Sequence, residues 1–299
     1  MTTETTGQQR EGVLAAVAAY VMWGFMPLYL LLLATVSSSE ILLHRIIWSV
    51  PFGALIIASR HQWSDVRAVF RSWRTLAWLA LAATFIGVNW LVYIIAVQQA
   101  QIFQASLGYY INPLLYVLVG VVFFGERLRV AQLIAVALAT IGVMVLTVSG
   151  GEFPWISLIL AISFTIYGVI RKQVVIGAMP GLFVETLLLL PLALAWFGWL
   201  MQQGESVFLS APAGLQFLLV VAGPVTVLPL LCFALAARRL RLSTIGFLQY
   251  IGPTLQFLIG WWSGETLTAP RIVCFLFIWV AVIVFCADSL RSGRREKHD

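Results

Sequence analysis

The sequence has few charged side chains and few cysteines, and each scarcity excludes a class of protein. Only 10% of its 299 residues are charged, whereas 61% are hydrophobic. Soluble domains have about a quarter of their residues charged, so this balance indicates an integral membrane protein. The three cysteines, Cys232, Cys274 and Cys286, lie inside apolar stretches, where a thiol behaves as a small hydrophobic group. Their spacing predicts neither a disulfide framework nor a metal site.

Motifs for catalysis and for nucleotide binding are also missing. The sequence has no GxxxxGK[ST] loop to hold phosphates, and it has no GxSxG or HExxH motif. Its three histidines are scattered at positions 44, 61 and 298. We therefore expect no enzyme activity, no cofactor and no bound metal. The net charge of +6 does not indicate a nucleic-acid partner, because basic cytoplasmic loops are usual in membrane proteins.

Ten apolar stretches are long enough to cross a lipid bilayer, which takes about 20 helical residues. They cover residues 12–34, 38–58, 75–97, 102–124, 130–149, 155–171, 180–200, 213–236, 242–263 and 270–289. The fold predicted is therefore an all-α integral membrane protein with ten transmembrane helices. Residues 1–11 and 290–299 are predicted to be polar tails, and the first span is expected to be retained rather than cleaved as a signal peptide.

Positive charges fall mainly on alternate connections between these spans. If the N-terminus is cytoplasmic, 16 of the 18 lysines and arginines lie in cytoplasmic segments, and only Arg45 and Arg271 do not. Cytoplasmic loops normally carry this excess, so we predict that both termini are cytoplasmic. Residues 60–74 place Trp63, Val66, Phe70 and Trp73 at helical spacing, which predicts an amphipathic helix on the cytoplasmic membrane surface.

The two halves of the sequence resemble each other. YINPLLYVLVG from Tyr110 aligns with YIGPTLQFLIG from Tyr250, and GERL from Gly125 aligns with GETL from Gly264. Each half contains five predicted spans, an odd number, so the second half would enter the membrane from the opposite side. The sequence therefore predicts two inverted five-helix repeats, residues 12–149 and 155–289, an arrangement common in secondary transporters.

Several of these motifs resemble those of a known family. The stretches EILLHRIIWS, GVNW, QASLGYYINP, GERLR, YGVIRK and RLRLSTIGFLQYIGPTL are similar to those of the RarD branch of the EamA-type drug/metabolite transporter superfamily. The resemblance covers nearly the whole chain. It implies two EamA-like repeats, ten helices around a central cavity in the bacterial inner membrane, and the activity of a permease.

Prolines occur at equivalent positions of the fourth and ninth spans, where each removes a backbone donor and is expected to free the carbonyl of Tyr109 or Gln249. We expect the polar stripes around these prolines to face each other and to bind the solute; the alternative is that both kinks serve only packing. The stripes consist of Tyr109, Asn112, Pro113, Tyr116 and Gly120 in the first repeat, and of Gln249, Gly252, Pro253, Gln256 and Gly260 in the second. Tyr250 is a further candidate for solute binding, and the two prolines are candidates for coupling or gating.

Other polar and aromatic side chains are candidates for the walls of the same cavity, although a lone aromatic in a membrane helix often serves only packing or interfacial anchoring. They stand about one helical turn apart in three spans. These candidates are Tyr20 and Trp23, Asn89 and Tyr93, and Ser163 and Tyr167.

Arg45 and Glu185 are the ionisable residues most clearly inside predicted spans, and they match each other at the repeat shift of 140. A role in coupling or gating is the default for such residues. Inversion of the repeats would place them at different depths, so we expect each to have local partners rather than to pair. Glu40 and His44 stand near the outer end of the same span as Arg45 and are expected to be solvated.

Glu126 and Glu265 belong to the matching turns GERL and GETL. A carboxylate favours the positive N-terminal end of a helix. We expect each to cap the helix that follows it. Alanines at positions 131, 135 and 139 form a ridge of small residues that predicts close helix packing rather than chemistry.

Together these features predict a secondary transporter that moves a small neutral or zwitterionic organic metabolite or drug by alternating access. A proton is the candidate coupling ion, and the sequence leaves a homo-oligomer open. A channel or a membrane scaffold or signalling protein is the alternative, although a channel is expected to show a selectivity ring, and none is visible.

Overall fold

The computed structural model describes residues 2–124, 129–151, 153–237, 239–240, 245 and 248–295, and this part of the chain is helical with short connections. It contains eleven helices. They are α1 (Thr2–Leu31), α2 (Ser38–Ser59), α3 (Trp63–Phe70), α4 (Trp73–Gln98), α5 (Ile102–Phe124), α6 (Val130–Gly150), α7 (Trp155–Gln173), α8 (Ala178–Gln203), α9 (Ala213–Ala237), α10 (Ile251–Trp262) and α11 (Ala269–Arg295).

Eight helical segments within the described residues are long and apolar enough to cross a membrane. They are Arg10–Leu31, Ser38–Ser59, Trp73–Gln98, Val130–Gly150, Trp155–Gln173, Ala178–Gln203, Ala213–Ala236 and Ala269–Asp288. The chain is thus a multi-pass membrane protein whose described part is all-helical. Helix α5 coincides with the fourth predicted span, 102–124, and α10 covers the second part of the ninth, 242–263, whose residues 242–244 and 246–247 lie outside the described part.

Local sequence signals explain several helix ends. Ser37 and Ser72 precede α2 and α4, and the hydroxyl of each accepts a hydrogen bond from a backbone N–H three residues later, as N-cap serines do. Gly151 and Gly204 end α6 and α8 with φ values of 65° and 70°. This left-handed conformation strains residues with a Cβ, so glycine is favoured at these ends.

Helix α3 confirms the predicted short helix after residue 60. Val66 and Val69 are buried, whereas Phe70 is 49% exposed and Trp73 is 80% exposed. The ring of Trp63 packs edge-on against Phe183 of α8. Helix α3 packs against α4 and α8 through its valines, and the contact of its exposed aromatic side chains with the membrane surface stays a prediction.

The principal helix contacts occur in related pairs. Helix α1 packs on α9 as α4 packs on α7, and α1 packs on α10 as α5 packs on α7. The contacts of α2 with α8, α5 with α10 and α6 with α11 each join two helices at matching positions of the two sequence halves. If each helix is exchanged for its counterpart in the other half of the sequence, most of these helix contacts are therefore reproduced.

The predicted ridge of small residues on α6 is confirmed as a packing surface. Ala135 and Ala139 are buried in a cluster with residues of α11. A Cβ at Gly142 would come within 3.0 Å of the Cys274 carbonyl oxygen and of the Phe277 Cβ. The ridge lets α6 and α11 approach closely, which is what small residues allow between membrane helices.

Candidate solute-binding region

Asn89 holds three helices together. Its amide nitrogen donates to the Leu160 carbonyl oxygen and to Ser163 Oγ on α7, both at 3.0 Å. Its amide oxygen accepts from the Tyr109 hydroxyl on α5 at 3.1 Å. The side chain is only 1% exposed. Both amide hydrogens are therefore committed to interhelical bonds, and the structure shows Asn89 as a junction of α4, α5 and α7.

The contact between α5 and α10 uses different faces from those predicted. Ser106 Oγ donates to the Pro253 carbonyl oxygen at 2.8 Å, and the Tyr110 and Thr254 hydroxyls lie 2.7 Å apart. The rings of Tyr110 and Tyr250 stack with centroids 6.0 Å apart. The expectation that the two whole stripes face each other was therefore wrong. Pro253 and Tyr250 contact α5. On α5, however, the contacts are made by Ser106 and Tyr110, which lie on the face next to the predicted stripe of Tyr109.

Pro253 also differs from the predicted kink. Helix α10 begins at Ile251, so Pro253 occupies its first turn, where a missing backbone donor leaves no bond unmade. The Gln249 carbonyl oxygen accepts from the Gly252 N–H at 3.3 Å and is not free. That part of the prediction was wrong because the chain turns at Gln249 and Tyr250. Pro113, in contrast, lies inside α5 as expected.

Two buried amide side chains on α5 and α10 have unpaired oxygens. Asn112 is 4% exposed and Gln256 is 3% exposed, and the side-chain oxygen of each has no hydrogen-bond partner in the described part of the chain. The Gln256 amide nitrogen donates to the Trp23 carbonyl oxygen at 3.2 Å. Buried polar atoms are normally paired, so these two oxygens need an explanation.

Tyr116, another residue of the first predicted stripe, donates from its hydroxyl to the Phe164 carbonyl oxygen at 3.3 Å. Its hydroxyl lies where a Cβ on Gly168 would stand, so this glycine permits the contact between α5 and α7. Gln249 is half-buried. The first stripe therefore turns towards α4 and α7 and not only towards α10.

An aromatic cluster surrounds Trp23. Its ring centroid lies 5.6 Å from Tyr20 and 6.0 Å from Phe233 of α9. Trp23 is half-buried, which leaves part of the indole accessible. The structure thus brings Trp23 and Gln256 together, as expected for members of one site, and it adds Phe233, which the sequence did not single out.

Arg45 is 4% exposed and has local partners, as predicted. Its Nε donates to Thr226 Oγ1 on α9 at 3.1 Å, and its guanidinium lies 4.8 Å from the centroid of a Trp90 ring on α4. Sequence reasoning missed both partners, because nothing in the linear pattern shows that α2, α4 and α9 converge here.

Glu185 is completely buried and forms an ion pair. Its Oε1 lies 3.5 Å from Arg171 Nη1, and its Oε2 accepts a hydrogen bond from the Tyr167 hydroxyl at 3.2 Å. Arg171 was assigned to a cytoplasmic loop. The sequence did contain a signal for this ion pair. A buried carboxylate needs a cation, and only one helix connection separates Arg171 from Glu185.

Glu40 and His44 are each 1% exposed, so the expectation of solvated side chains was wrong. Glu40 Oε1 accepts from Ser206 Oγ at 2.7 Å and from the Val207 backbone N–H at 3.0 Å. His44 packs against Phe208, with ring centroids 4.6 Å apart. The connection between α8 and α9 folds over this end of α2 and excludes water, an effect that spans alone do not reveal.

Glu265 caps a helix, but not the one that follows it. Its carboxylate accepts from the backbone N–H groups of Ile102 and Phe103, which form the N-terminus of α5. The prediction of a cap on α11 was therefore wrong: the fold places the turn before α11 against a helix from the first half of the chain. Its partner in the sequence motif, Glu126, lies outside the described residues.

A cavity of about 560 Å³ adjoins Glu265 at this end of the bundle. Its walls are the connection between α4 and α5, the turn between α10 and α11, and Phe153. The polar lining includes Gln99, Gln101, Gln104, Ser263, Glu265, Thr266 and Arg271. Within the described residues, no group of three or more histidines, cysteines and acidic residues could hold a metal ion.

Known proteins are similar to this chain in sequence and in fold. Residues 10–148 match the EamA-like transporter family. The chain is 44% identical to Protein RarD of Escherichia coli over 96% of this chain and 98% of that protein. It is 45% identical to an uncharacterized transporter of Vibrio cholerae, over 95% of this chain and 94% of that protein.

More distant likenesses agree with these matches. The chain is 34% identical to the chloramphenicol-sensitive protein RarD of Pseudomonas aeruginosa, over 96% of this chain and 97% of that protein. A protein of known crystal structure superposes with a TM-score of 0.58 over 92% of this chain and 97% of its own, at 19% identity. That likeness concerns the fold alone.

Proposed function

Because the chain belongs to the RarD branch of the EamA-type drug/metabolite transporter superfamily, we propose that it is a secondary transporter of the bacterial inner membrane that moves a small neutral or zwitterionic organic solute by alternating access. Relatives of similar length are named transporters, which supports transport over catalysis. The site chemistry and the helix packing support the finer parts of the proposal.

We infer that residues 12–149 and 155–289 form two inverted repeats, each with five of ten spans, and that both termini are cytoplasmic. The related helix contacts, such as α1 on α9 and α4 on α7, support this division. Two halves that exchange their packing can produce inward-open and outward-open states of similar energy. The uneven distribution of lysine and arginine supports the orientation.

The observation that carries the proposed site is the pair of unpaired oxygens on Asn112 and Gln256. An unsatisfied buried polar atom costs about 1–3 kcal/mol, and a solute that donates a hydrogen bond would remove this cost. The two side chains come from different halves of the chain. A site between them is what alternating access requires, because the solute must contact both halves.

We propose that the aromatic and amide side chains of α1, α4, α5, α7 and α10, and of the turn before α10, surround this site. The set comprises Trp23, Tyr93, Tyr109, Asn112, Tyr116, Tyr167, Gln249, Tyr250 and Gln256, with Asn89 fixing Tyr109 in place. Such a lining offers hydrogen bonds and ring faces with little net charge, which suits a neutral or zwitterionic molecule better than an inorganic ion.

Cysteine protection tests the site. Cysteines replace Asn112 and Gln256 singly in a chain whose Cys232, Cys274 and Cys286 are serines, and a water-soluble thiol reagent then labels the protein in liposomes. We expect labelling at both positions and slower labelling when a transported solute is added at saturating concentration.

The matched control is Ala135→Cys on the α6 ridge, which is fully buried against α11 and should not label. If the Asn112 and Gln256 positions are as inert as Ala135 in a protein that still transports, both side chains serve packing and the proposed site is wrong.

A further inference from the structure

Arg45 is a buried cation that has no acidic partner among the described residues. Among the described residues, the ion pairs join Arg129 to Asp288, Arg171 to Glu185, and Arg239 to Glu11. None of them involves Arg45, whose only direct side-chain hydrogen bond in this part of the chain runs from Nε to Thr226. An isolated charge in a membrane helix is costly and is normally compensated by an opposite charge or marks a path for an ion or substrate.

The comparison with Glu185 sharpens this point. Glu185 occupies the matching position of the second half and obtains a cation, Arg171, from the protein itself. Arg45 obtains a threonine hydroxyl and the face of Trp90. Glu185 therefore has its countercharge within the protein, whereas Arg45 can still bind an anion from outside the chain.

Three tyrosines lie within electrostatic range of the guanidinium, namely Tyr29, Tyr93 and Tyr109. The Tyr29 hydroxyl donates to the Leu218 carbonyl oxygen and the Tyr109 hydroxyl donates to Asn89. Tyr93 is different: it is 4% exposed, and its hydroxyl has no hydrogen-bond partner among the described residues. A buried O–H donor is therefore available on the helix that also carries Trp90, the aromatic partner of Arg45.

We propose that Arg45 binds the carboxylate group of an organic solute and that the Tyr93 hydroxyl donates a further hydrogen bond to it. The planar guanidinium can donate two parallel hydrogen bonds to a carboxylate, a geometry that Lys cannot reproduce. The inference rests on the proposed function and revises its solute class: neutral molecules are dropped, zwitterions with a carboxylate are kept, and carboxylate anions are added.

The position of Arg45 suits this role. It lies on α2, its hydrogen-bond partner lies on α9, and Tyr93 and Trp90 lie on α4, so both halves of the chain contribute. Tyr109 links this group to the proposed site, because its ring packs 5.7 Å from that of Tyr93. A carboxylate on Arg45 would thus place the rest of the solute next to the aromatic and amide side chains of that site.

The test compares carboxylates with uncharged amides of the same shape. Thermal unfolding of the purified full-length protein in detergent is measured with benzoate against benzamide and with acetate against acetamide. A ligand that binds only the folded state raises the melting temperature. We expect at least one carboxylate to raise it saturably above its amide partner in the wild-type protein.

Three variants test whether the carboxylate effect depends on Arg45. Arg45→Met should bind the active carboxylate at least about thirtyfold more weakly, which corresponds to about 2 kcal/mol. It should also unfold at a temperature no lower than that of the unliganded wild type, because an uncompensated charge has been removed. Arg45→Lys keeps the charge and should retain weakened binding. Thr226→Val removes only the internal hydrogen bond and should retain the difference between carboxylate and amide.

Several outcomes would overturn the inference. Carboxylates and amides could act alike, or the carboxylate effect could persist in Arg45→Met. Chloride could reproduce the effect in full, which would indicate a site for small inorganic anions. If Arg45→Met fails to fold while Arg45→Lys binds as the wild type does, Arg45 is a structural anchor. Because these measurements need no flux, a protein that transports but shows no carboxylate effect would refute this inference alone.

Discussion

Glu185 shows how a single buried residue links the fold to transport. It is enclosed by α7 and α8, and it holds both an ion pair with Arg171 and a hydrogen bond from Tyr167. Tyr167 is half-buried and belongs to the proposed lining of the site. A change in the charge of Glu185 would therefore alter Arg171 and Tyr167 together. This makes Glu185 our candidate for coupling solute movement to protons.

Glu185→Gln tests this role. Glutamine keeps the size of the side chain and can accept the hydrogen bond from Tyr167, but it cannot carry or release a proton. We expect solute counterflow at the wild-type rate and loss of proton-driven accumulation in liposomes. Tyr167→Phe is the converse control, because it removes the hydrogen bond that Glu185→Gln keeps and retains the carboxylate that Glu185→Gln removes. Accumulation at the wild-type level in folded Glu185→Gln would exclude Glu185 as the coupling group.

Glu265 gives a pH-dependent prediction. Burial raises the pKa of its carboxyl, although the N–H bonds from Phe103 and Ile102 act in the opposite direction. The folded protein therefore holds this proton more tightly than the unfolded chain does. The resulting contribution to stability is complete below the ordinary carboxyl pKa of about 4.3 and is lost as the pH rises through the raised value.

The measurement compares the free energy of unfolding of the wild type with that of Glu265→Gln, which cannot titrate. The wild-type value minus the variant value should decrease as the pH is raised from about 4 towards neutrality. An increase over this range would show that the hydrogen bonds to α5 outweigh burial and that the assigned cause is wrong.

The important buried charged residues were easier to predict from the sequence than the side chains that contact them. The sequence identified Arg45 and Glu185 because charges are rare in apolar stretches, and the structure confirms that each has local partners. It did not predict that Glu40 is buried, because the loop that covers it is far away in the sequence. Contacts between distant helices leave no periodic signal in a single chain.

Helices were predicted well where hydrophobicity alone decides their limits. Helices α2 and α5 begin at the first residue of their predicted spans, and α6 ends one residue after its own. The exception is α10, whose start at Ile251 follows from a turn at Gln249 and Tyr250. Proline at position 253 was compatible with both a kink and a first helical turn, so composition could not separate them.

The close packing of α2 against α9 gives a prediction about stability. A Cβ on Gly223 of α9 would overlap the backbone carbonyl of Trp48 in α2, and backbone cannot move aside as a side chain can. We expect Gly223→Ala to destabilise the protein by about 1–3 kcal/mol, measured by unfolding in mixed micelles.

Gly198→Ala is the matched control, since nothing lies within 4 Å of a Cβ at that position of α8. It should be neutral or stabilising by up to about 1 kcal/mol, because alanine favours helix. Equal effects of the two substitutions would contradict the close contact between α2 and α9.

Over the whole molecule, the related contacts of the two halves give the transport proposal its physical basis. Helices from both halves meet at Gln256 and Arg45, so the solute would lie where the halves can move against each other. A reporter fused after Asp299 is expected to be cytoplasmic and one inserted between Gln202 and Pro212 periplasmic. Opposite locations for these two reporters would contradict the proposed orientation.

The most direct test of the central claim is counterflow in liposomes that contain the purified protein. Liposomes are loaded with a high concentration of an unlabelled zwitterionic metabolite, such as an amino acid from a defined panel, and diluted into a trace of the same labelled compound. A carrier predicts transient accumulation of label that saturates with external solute and is absent from protein-free liposomes. Flux that rises linearly without saturation would indicate a channel, and the absence of protein-dependent flux across the panel would contradict the account.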